Sequence, residues 1–336
     1  MMKTLVVEKP YTFKYEETNI QKPELNTVTL RVLAVGICGT DIHAYTGNQP
    51  FFTYPRVLGH EVCGEITEVG ENVTQWKKGD RVALIPYVSC QVCSSCQSGR
   101  PNCCENISVI GVHENGGFCE YLNVPASQLL SVTDVEPSTA ALIEPFAISA
   151  HAVRRANVQK GQDILVVGAG PIGLGAAAIA KSDGANVIVA DTSEERRKHI
   201  EKVVGVKAIT PDEEAVRECF SGALALTVID ATGNANAMNN AVNLIRNGGT
   251  IVYVGLHKGN LEISDPDFHK KETTLMGSRN ATLEDFEKVA RLMASKDISA
   301  EMMLTHSFMF SELAEIYQEQ VIDNKKLLKA VVLMSE

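Results

Sequence analysis

The chain carries no basic excess. Its 31 lysines and arginines face 41 aspartates and glutamates, a formal charge of 31 − 41 = −10. Without surplus cations to neutralise phosphates, nucleic acid and anionic membrane surfaces are excluded as expected partners. The acidic balance favours solubility and says little about substrate. A targeting segment is not expected either, because the N-terminal apolar run is only Leu5–Val7, far short of a signal-peptide core. The uncharged apolar run Ile164–Ala180 stops short of the roughly 18–20 residues of a membrane span and is rich in glycine. The cytoplasm is therefore the expected location. Internal repeats and low-complexity segments are absent. What remains is 336 residues, 45% hydrophobic and 21% charged, the profile of an ordinary globular protein of two domains.

The texture changes along the chain. Up to about residue 150 it reads as short strands punctuated by glycine (LVVE, VTLRVLAVGI, EVCGEITEVG, DRVALIPY, CEYLNVP), a β-rich and barrel-like pattern. From about Asp163, apolar strands (DILVVG, NVIVAD, LTVIDATG, TIVYVG) alternate with helical segments, the pattern of a doubly wound parallel sheet. Thr192 with Glu195 fits a capping box. Met238, Ala241, Val242 and Ile245 fall on one helical stripe, as do Phe286, Val289, Ala290 and Met293. The terminal KAVVLM reads as a strand returning to the first domain.

Three constellations carry chemistry. Nine cysteines occur, five of them between Cys90 and Cys104. Cys90, Cys93, Cys96 and Cys104 are spaced C-x2-C-x2-C-x7-C, and four thiolates in a Ser/Gly/Pro-rich loop suit a closed tetrahedral zinc site. Cys103 is the alternative fourth ligand, and a set of buried or redox cysteines is the competing reading. Gly168, Gly170 and Gly173 form G-x-G-x-x-G between a strand and a helix, with Asp191 ending the next strand, the context of a dinucleotide fingerprint. Gly168 permits the turn, Gly170 lets the backbone approach the pyrophosphate, Gly173 lets helix and strand pack, and Pro171 suits the first helical turn before Ile172. Asp191 is expected to bind the adenosine ribose hydroxyls and repel a 2′-phosphate, favouring NAD over NADP. Arg196 and Arg197 are the counter-reading, although with Glu194 and Glu195 they also read as a solvated helix face. The third constellation is scattered: Cys38, Thr40, Asp41 and His43 in GICGTDIH, His60 and Glu61 in GHE, and Glu144 in IEP. Such residues bind zinc with an open position, but nothing local brings 38, 60 and 144 together.

In this order, GICGTDIH, VLGHEVCGEITEVG, GDRVAL, the four-cysteine loop, VVGAGPIG and VIDATG resemble the zinc-dependent medium-chain alcohol/polyol dehydrogenases over essentially the whole length. The resemblance implies a GroES-like catalytic domain with two zinc sites at 1–150, a Rossmann NAD-binding domain at 151–285 and a C-terminal segment, 286–336, returning to the first. It implies an active site in the cleft between the domains, with Cys38 and His60 as catalytic zinc ligands. Glu61 and Glu144 complete the sphere, one on zinc and the other on its water, with the assignment between them open. Glutamate at 144, where the other main branch has cysteine, places the chain with sorbitol- and threonine-dehydrogenase-like enzymes. Zinc there lowers the pKa of a substrate hydroxyl, and a relay through Thr40, the nicotinamide ribose and His43 carries the proton out. Read alone, Thr40 is a turn hydroxyl and His43 a packed histidine. Relatives are homo-oligomers, dimers or tetramers, often joined at the edge of the YVG strand.

Within that branch, GNQPFFTYPRVLGHE, ENISVIGVHENGGF, ALIEPFAISAHAVRRA and FHKKETTLMGSRNAT are similar to L-galactonate or L-gulonate 5-dehydrogenases. A hexonate needs a cation for its carboxylate, best a bidentate arginine. Arg56 and Arg279 are the candidates, with Lys270 and Lys271 nearby; Arg154 and Arg155 read as a helix face. Competing classes are a non-catalytic zinc module on a dead scaffold and a zinc-free quinone reductase. Both conflict with the complete ligand and glycine sets. The nearest alternative activity is oxidation of a neutral polyol or of L-threonine.

Overall fold

A computed structural model describes residues 1–48 and 52–334. Part of the GNQPFFTYPRVLGHE segment, Gln49, Pro50 and Phe51, lies outside the described residues. The chain divides into two compact units, Met1–Glu144 with Met303–Glu336, and Pro145–Met302. The sequence reading set its breaks after residues 150 and 285. The helix Leu283–Ala294 falls in the second unit, where Asp285 meets Arg154.

The first unit is built around the strand Thr27–Ile37, whose β-branched and aliphatic run is almost wholly buried. It pairs antiparallel with Glu61–Val69, Tyr121–Pro125 and the C-terminal Ala330–Leu333, so KAVVLM does return to the first unit. The ladder runs from Leu129–Ser131 through Arg81–Leu84, Glu61–Val69, Thr27–Ile37 and Ala330–Leu333 to His306–Met309, an open path and not a closed barrel among the described residues. Leu5, Leu30, Leu58, Ile66, Phe118 and Tyr317 fill its core. Gly36 pairs with Glu61, and a Cβ at 36 would lie 1.8 Å from Glu61 Oε2. Glycine is needed there to make room for a buried carboxylate.

The second unit is a six-stranded parallel sheet in the order Lys207–Ile209, Asn186–Ala190, Asp163–Val167, Ala225–Asp230, Ile245–Tyr253, Thr274–Gly277. This is the doubly wound order, with its switch point between Asp163–Val167 and Ala225–Asp230, and ligands bind beyond the carboxyl ends of strands at such a point. Three local expectations need correction. Ser193, not Thr192, caps the helix Glu194–Val204, accepting from Arg196 N at 3.4 Å. The stripe from Met238 to Ile245 is buried but not one helix. The α-helix ends at Asn240, a 3₁₀ turn covers Ala241–Asn243, and Ile245 opens a strand. That strand, which carries Tyr253 of YVG, is interior to the sheet; Thr274–Gly277 forms the edge. Among the described residues, no helix is long and apolar enough to cross a membrane.

Candidate metal and coenzyme sites

The strand Thr27–Ile37 delivers Cys38 to the N-cap of the helix Gly39–Tyr45, while His60 and Glu61 stand at the start of the neighbouring strand. The ladder therefore joins residues that are distant in sequence. Their ligand atoms (Cys38, His60, Glu61) all lie within 4.8 Å of one another. Asp41 ties the two segments, because its Oδ2 accepts from Cys38 N at 2.9 Å and its Oδ1 from Gly59 N at 3.2 Å. His60 Nδ1 stands 3.7 Å from Asp41 Oδ1. Glu61 is fully buried; Lys329 Nζ donates to its Oε1, and its Oε2 has no partner. Glu144 opens the helix Ile143–Arg155. Tyr87 Oη donates to its Oε1, and its Oε2 is likewise buried without a partner.

Glu144 lies outside the 4.8 Å group but within electrostatic reach of it. Burial pushes its carboxyl up to about 7. His60 opposes the rise, Glu61 adds to it, and Tyr87 and Lys329 oppose it. Burial works against the Lys329 charge, but Glu61 and then Cys38 outweigh it and hold that ammonium above its ordinary value. Orphaned buried carboxylate oxygens are costly. A thiol, an imidazole and a carboxylate around one point form the zinc donor set that leaves a position open, and a cation there offsets that cost. The residues present fit the metal.

Cys90, Cys93, Cys96 and Cys104 form a second cluster, with ligand atoms within 4.8 Å of one another. Cys93 and Cys104 sulfurs are 3.9 Å apart, and Cys104 Sγ accepts from Cys90 N and Asn106 N. Cys103, the alternative fourth ligand, is exposed and outside the group. Backbone N–H groups of Val92 and Cys93 pull the Cys90 thiol down to about 6, whereas burial and its sulfur neighbours push Cys96 up to about 12. Four sulfurs in one volume cannot all ionise without a cation among them, so this donor set also fits zinc.

In the second unit, Gly168 adopts φ +98° straight after the strand Asp163–Val167. Pro171 is the first residue of the helix Pro171–Ser182. A Cβ at Gly173 would lie 1.8 Å from Gly168 O, whereas one at Gly170 would meet nothing within 4 Å. Gly173 therefore serves the helix–strand contact, and Gly170 borders open space. A cavity of about 600 Å³ is lined by Gly168, Gly170, Asp191, Arg196, Thr232 and Asn234 among others. Asp191 Oδ2 accepts from Ala169 N and Oδ1 from Ser193 N, both at 2.7 Å. Ile172 is half-buried, and its carbonyl accepts from Ser149 Oγ at 2.9 Å. The solvated-face reading holds for Arg196, which is exposed, and needs revision for Arg197. Arg196 lines the cavity and Arg197 donates to the Asp191 carbonyl at 2.7 Å, while Glu194 pairs with Lys198.

The remaining candidates scatter. Thr40 and His43 share the helix Gly39–Tyr45, half-buried and exposed respectively. Arg56 donates to Thr53 Oγ1 at 2.9 Å and lines a separate cavity of about 570 Å³ with Glu16, Glu114 and Asn123, whose lining includes no metal-type residue named above. Arg279 is exposed just after the strand Thr274–Gly277. Lys270 is exposed, and Lys271 donates to the carbonyls of Val242 and Ile245. Arg154 is no free helix face, because it pairs with Asp285 at 2.7 Å; Arg155 reaches Gly277 O at 3.5 Å. Sequence reasoning counted Asp41 among the metal-type residues, whereas it ties the Cys38 turn to Gly59 outside the ligand group, and it missed Tyr87 and Lys329. Only Lys329 left a trace, a charge at the head of the apolar run AVVLM.

Two family profiles match in order, the alcohol dehydrogenase GroES-like domain over residues 24–134 and the zinc-binding dehydrogenase over 171–295. The L-galactonate-5-dehydrogenase of Escherichia coli (strain K12) is 58% identical over 335 residues, 98% of each chain. The short chain alcohol dehydrogenase rspB of E. coli CFT073, solved with NADH, superposes with a TM-score of 0.92 at 34% identity, covering 99% of both chains. A zinc-binding dehydrogenase of Sinorhizobium meliloti 1021 bound to NADP gives 0.92 at 29% identity, again over 99% of both. Likeness of this extent in sequence, domain order and fold means that the chain belongs to the zinc-binding alcohol dehydrogenase family and is an oxidoreductase.

Proposed function

We propose that the chain is a zinc- and NAD-dependent sugar-acid dehydrogenase that oxidises L-galactonate or L-gulonate at C5 to the keto acid. The observation that carries the substrate is the 58% identity, over 98% of both chains, with a relative named for L-galactonate. Cys38, His60 and Glu61, with Glu144 beside them, hold the catalytic metal; Cys90, Cys93, Cys96 and Cys104 hold the structural one. Bound at these sites, zinc supplies Lewis acidity toward the substrate hydroxyl and NAD supplies the hydride acceptor. The chain does the rest. Asp41 fixes the Cys38 turn against Gly59 and His60. Gly168, Gly170, Pro171, Ile172 and Gly173 shape the pyrophosphate turn, and Asp191 accepts the ribose hydroxyls. Thr40 receives the substrate proton, and His43, exposed one turn on, passes it to solvent. Arg56 faces a cavity whose lining holds none of the metal-type residues, which leaves Arg279 as the candidate carboxylate partner. The same reading takes the protein as a homo-oligomer, dimer or tetramer, on the family resemblance, and as a cytoplasmic enzyme.

A neutral polyol forgoes the charge-assisted, bidentate bond that a carboxylate makes with arginine. The expected outcome is kcat/KM for one hexonate at least ~100-fold above sorbitol or L-threonine, with much of that margin erased in Arg279→Ala. Equal oxidation of sorbitol, xylitol or threonine would hand the assignment to the polyol reading.

A further inference from the structure

Two buried glutamates at the metal-type cluster are held alike. Lys329 occupies Oε1 of Glu61 and Tyr87 occupies Oε1 of Glu144, and in each case Oε2 is buried without a partner. The donors differ in kind. Lys329 brings a charge that compensates Glu61, whereas Tyr87 brings a neutral phenol, so its bond orients Glu144 without discharging it. We propose that Tyr87 is the positioning residue for Glu144, holding Oε1 so that Oε2 faces the metal position of Cys38, His60 and Glu61. The proposal rests on the metal site of the proposed function.

The local fold explains why this phenol can act as a fixed point. Tyr87 is buried, at 8% exposure, in the short strand Tyr87–Val88, which pairs antiparallel with Ser108–Val109 through Tyr87↔Val109 and Val88↔Ser108. Between these two strands runs the whole four-cysteine loop, so the ladder is the base of that loop and Cys90 lies three residues beyond Tyr87. A second tie sits beside it, Ile110 N donating to Pro86 O at 3.0 Å. The opposite partner is equally constrained, because Glu144 stands in the first turn of a helix of 13 residues and is itself 3% exposed. Cys38 and Glu61 act electrostatically on the Tyr87 phenol, and His60 and Glu61 on Glu144, so the pair and the cluster share one environment. The four-cysteine lobe thereby acquires a role at a distance, keeping the ladder in place and with it the phenol that orients Glu144.

The test uses enzyme with zinc in the four-cysteine site and Co²⁺ in the Cys38 site, comparing the parent, Tyr87→Phe, Glu144→Ala and the double variant. Visible absorption reports the geometry around Co²⁺, and its removal by EDTA reports how firmly the site holds it. Tyr87→Phe is expected to shift the absorption envelope and to speed metal release by about 10–100-fold, the usual scale for losing a partner of a ligand. It should do so without changing the zinc content of the other site, and it should change release by less than about twofold once Glu144 is alanine. An unshifted spectrum with parental release, or the same loss in the Glu144→Ala background, overturns the assignment. Should Tyr87→Phe not be recovered folded, Tyr87→His keeps a donor at the position. Release within about threefold of the parent supports the role, and release as fast as in Glu144→Ala overturns it. A parent enzyme that takes up no Co²⁺ at Cys38 overturns the metal site itself along with the proposal, so the two failures are told apart.

Discussion

Asp191 shows how much a single side chain can be asked to do. Its two oxygens already accept from Ala169 N and Ser193 N, so its charge is placed at the glycine turn by the backbone before any coenzyme arrives. A 2′-phosphate would have to sit against that carboxylate. Two like charges about 4 Å apart repel by roughly 1–4 kcal/mol at effective dielectric constants between water and a protein surface. Arg196 faces the same cavity and pulls the other way. The carboxylate wins because it is nearly buried and doubly anchored, whereas Arg196 is exposed and free to move into water. In Asp191→Ala, kcat/KM with NAD should fall, and the NAD-over-NADP preference should shrink by about 10–100-fold. Steady-state rates with both coenzymes in both proteins decide it. A wild-type preference for NADP would put Arg196 in control.

At the scale of elements, the helix Leu283–Ala294 shows what local pattern conveys and what it leaves out. Its buried stripe, Phe286, Val289 and Met293, was legible as helical spacing. Its ownership was not, because that depends on Asp285 meeting Arg154 across 131 positions, with His151 at 2.9 Å on the other oxygen. The same limit explains Ser193 over Thr192, since both hydroxyls suit a cap and only the path of the backbone chooses between them. It also explains the metal cluster. GICGTDIH and GHE were readable as ligand-type residues, but the pairing of Gly36 with Glu61 is what unites them, and Tyr87 and Lys329 sit in no motif. Asp285 also closes the cap of its own helix, accepting from Thr282 N and Oγ1 at 2.9 Å. Burial tends to raise its carboxyl, but Arg154 and His151 overcome that and hold it well below the ordinary 3.8. A depressed pKa gives stability that is complete above the ordinary value and is lost as pH falls through the folded one. Asp285→Asn should therefore destabilise by about 2–4 kcal/mol at pH 7, and the deficit should narrow as pH drops below about 4. Urea unfolding followed by circular dichroism at the two pH values tests this. A difference that does not change with pH would leave only a packing role.

Both metal-type clusters lie in the first unit, and they differ in closure. Four cysteines supply every position of a tetrahedron, so that site has no room for substrate and its binding energy goes into holding a loop together. That loop contributes little apolar surface of its own. Cys90, Cys93 and Cys96 are only half-buried and Val92 is 78% exposed, so the loop relies on its own turns, a few polar bonds such as Ser94 to Glu105, the metal and the short ladder at its base. The Cys38 cluster is the reverse case, set in a packed sheet that is already fixed by the ladder of Thr27–Ile37 with Glu61–Val69. Loss of metal should thus have opposite consequences at the two places. Wild-type enzyme should carry two zinc ions per chain by elemental analysis. Cys38→Ser should abolish turnover yet retain about one zinc and a melting temperature close to wild type. Cys93→Ser should lower the melting temperature, because a closed site contributes folding free energy outright. It should reduce activity as well, since the loop ends at the ladder bearing Tyr87. One zinc or none in the wild type would refute the ligand assignment. If Cys38→Ser unfolded as readily as Cys93→Ser, the division between a structural and a catalytic ion would be wrong.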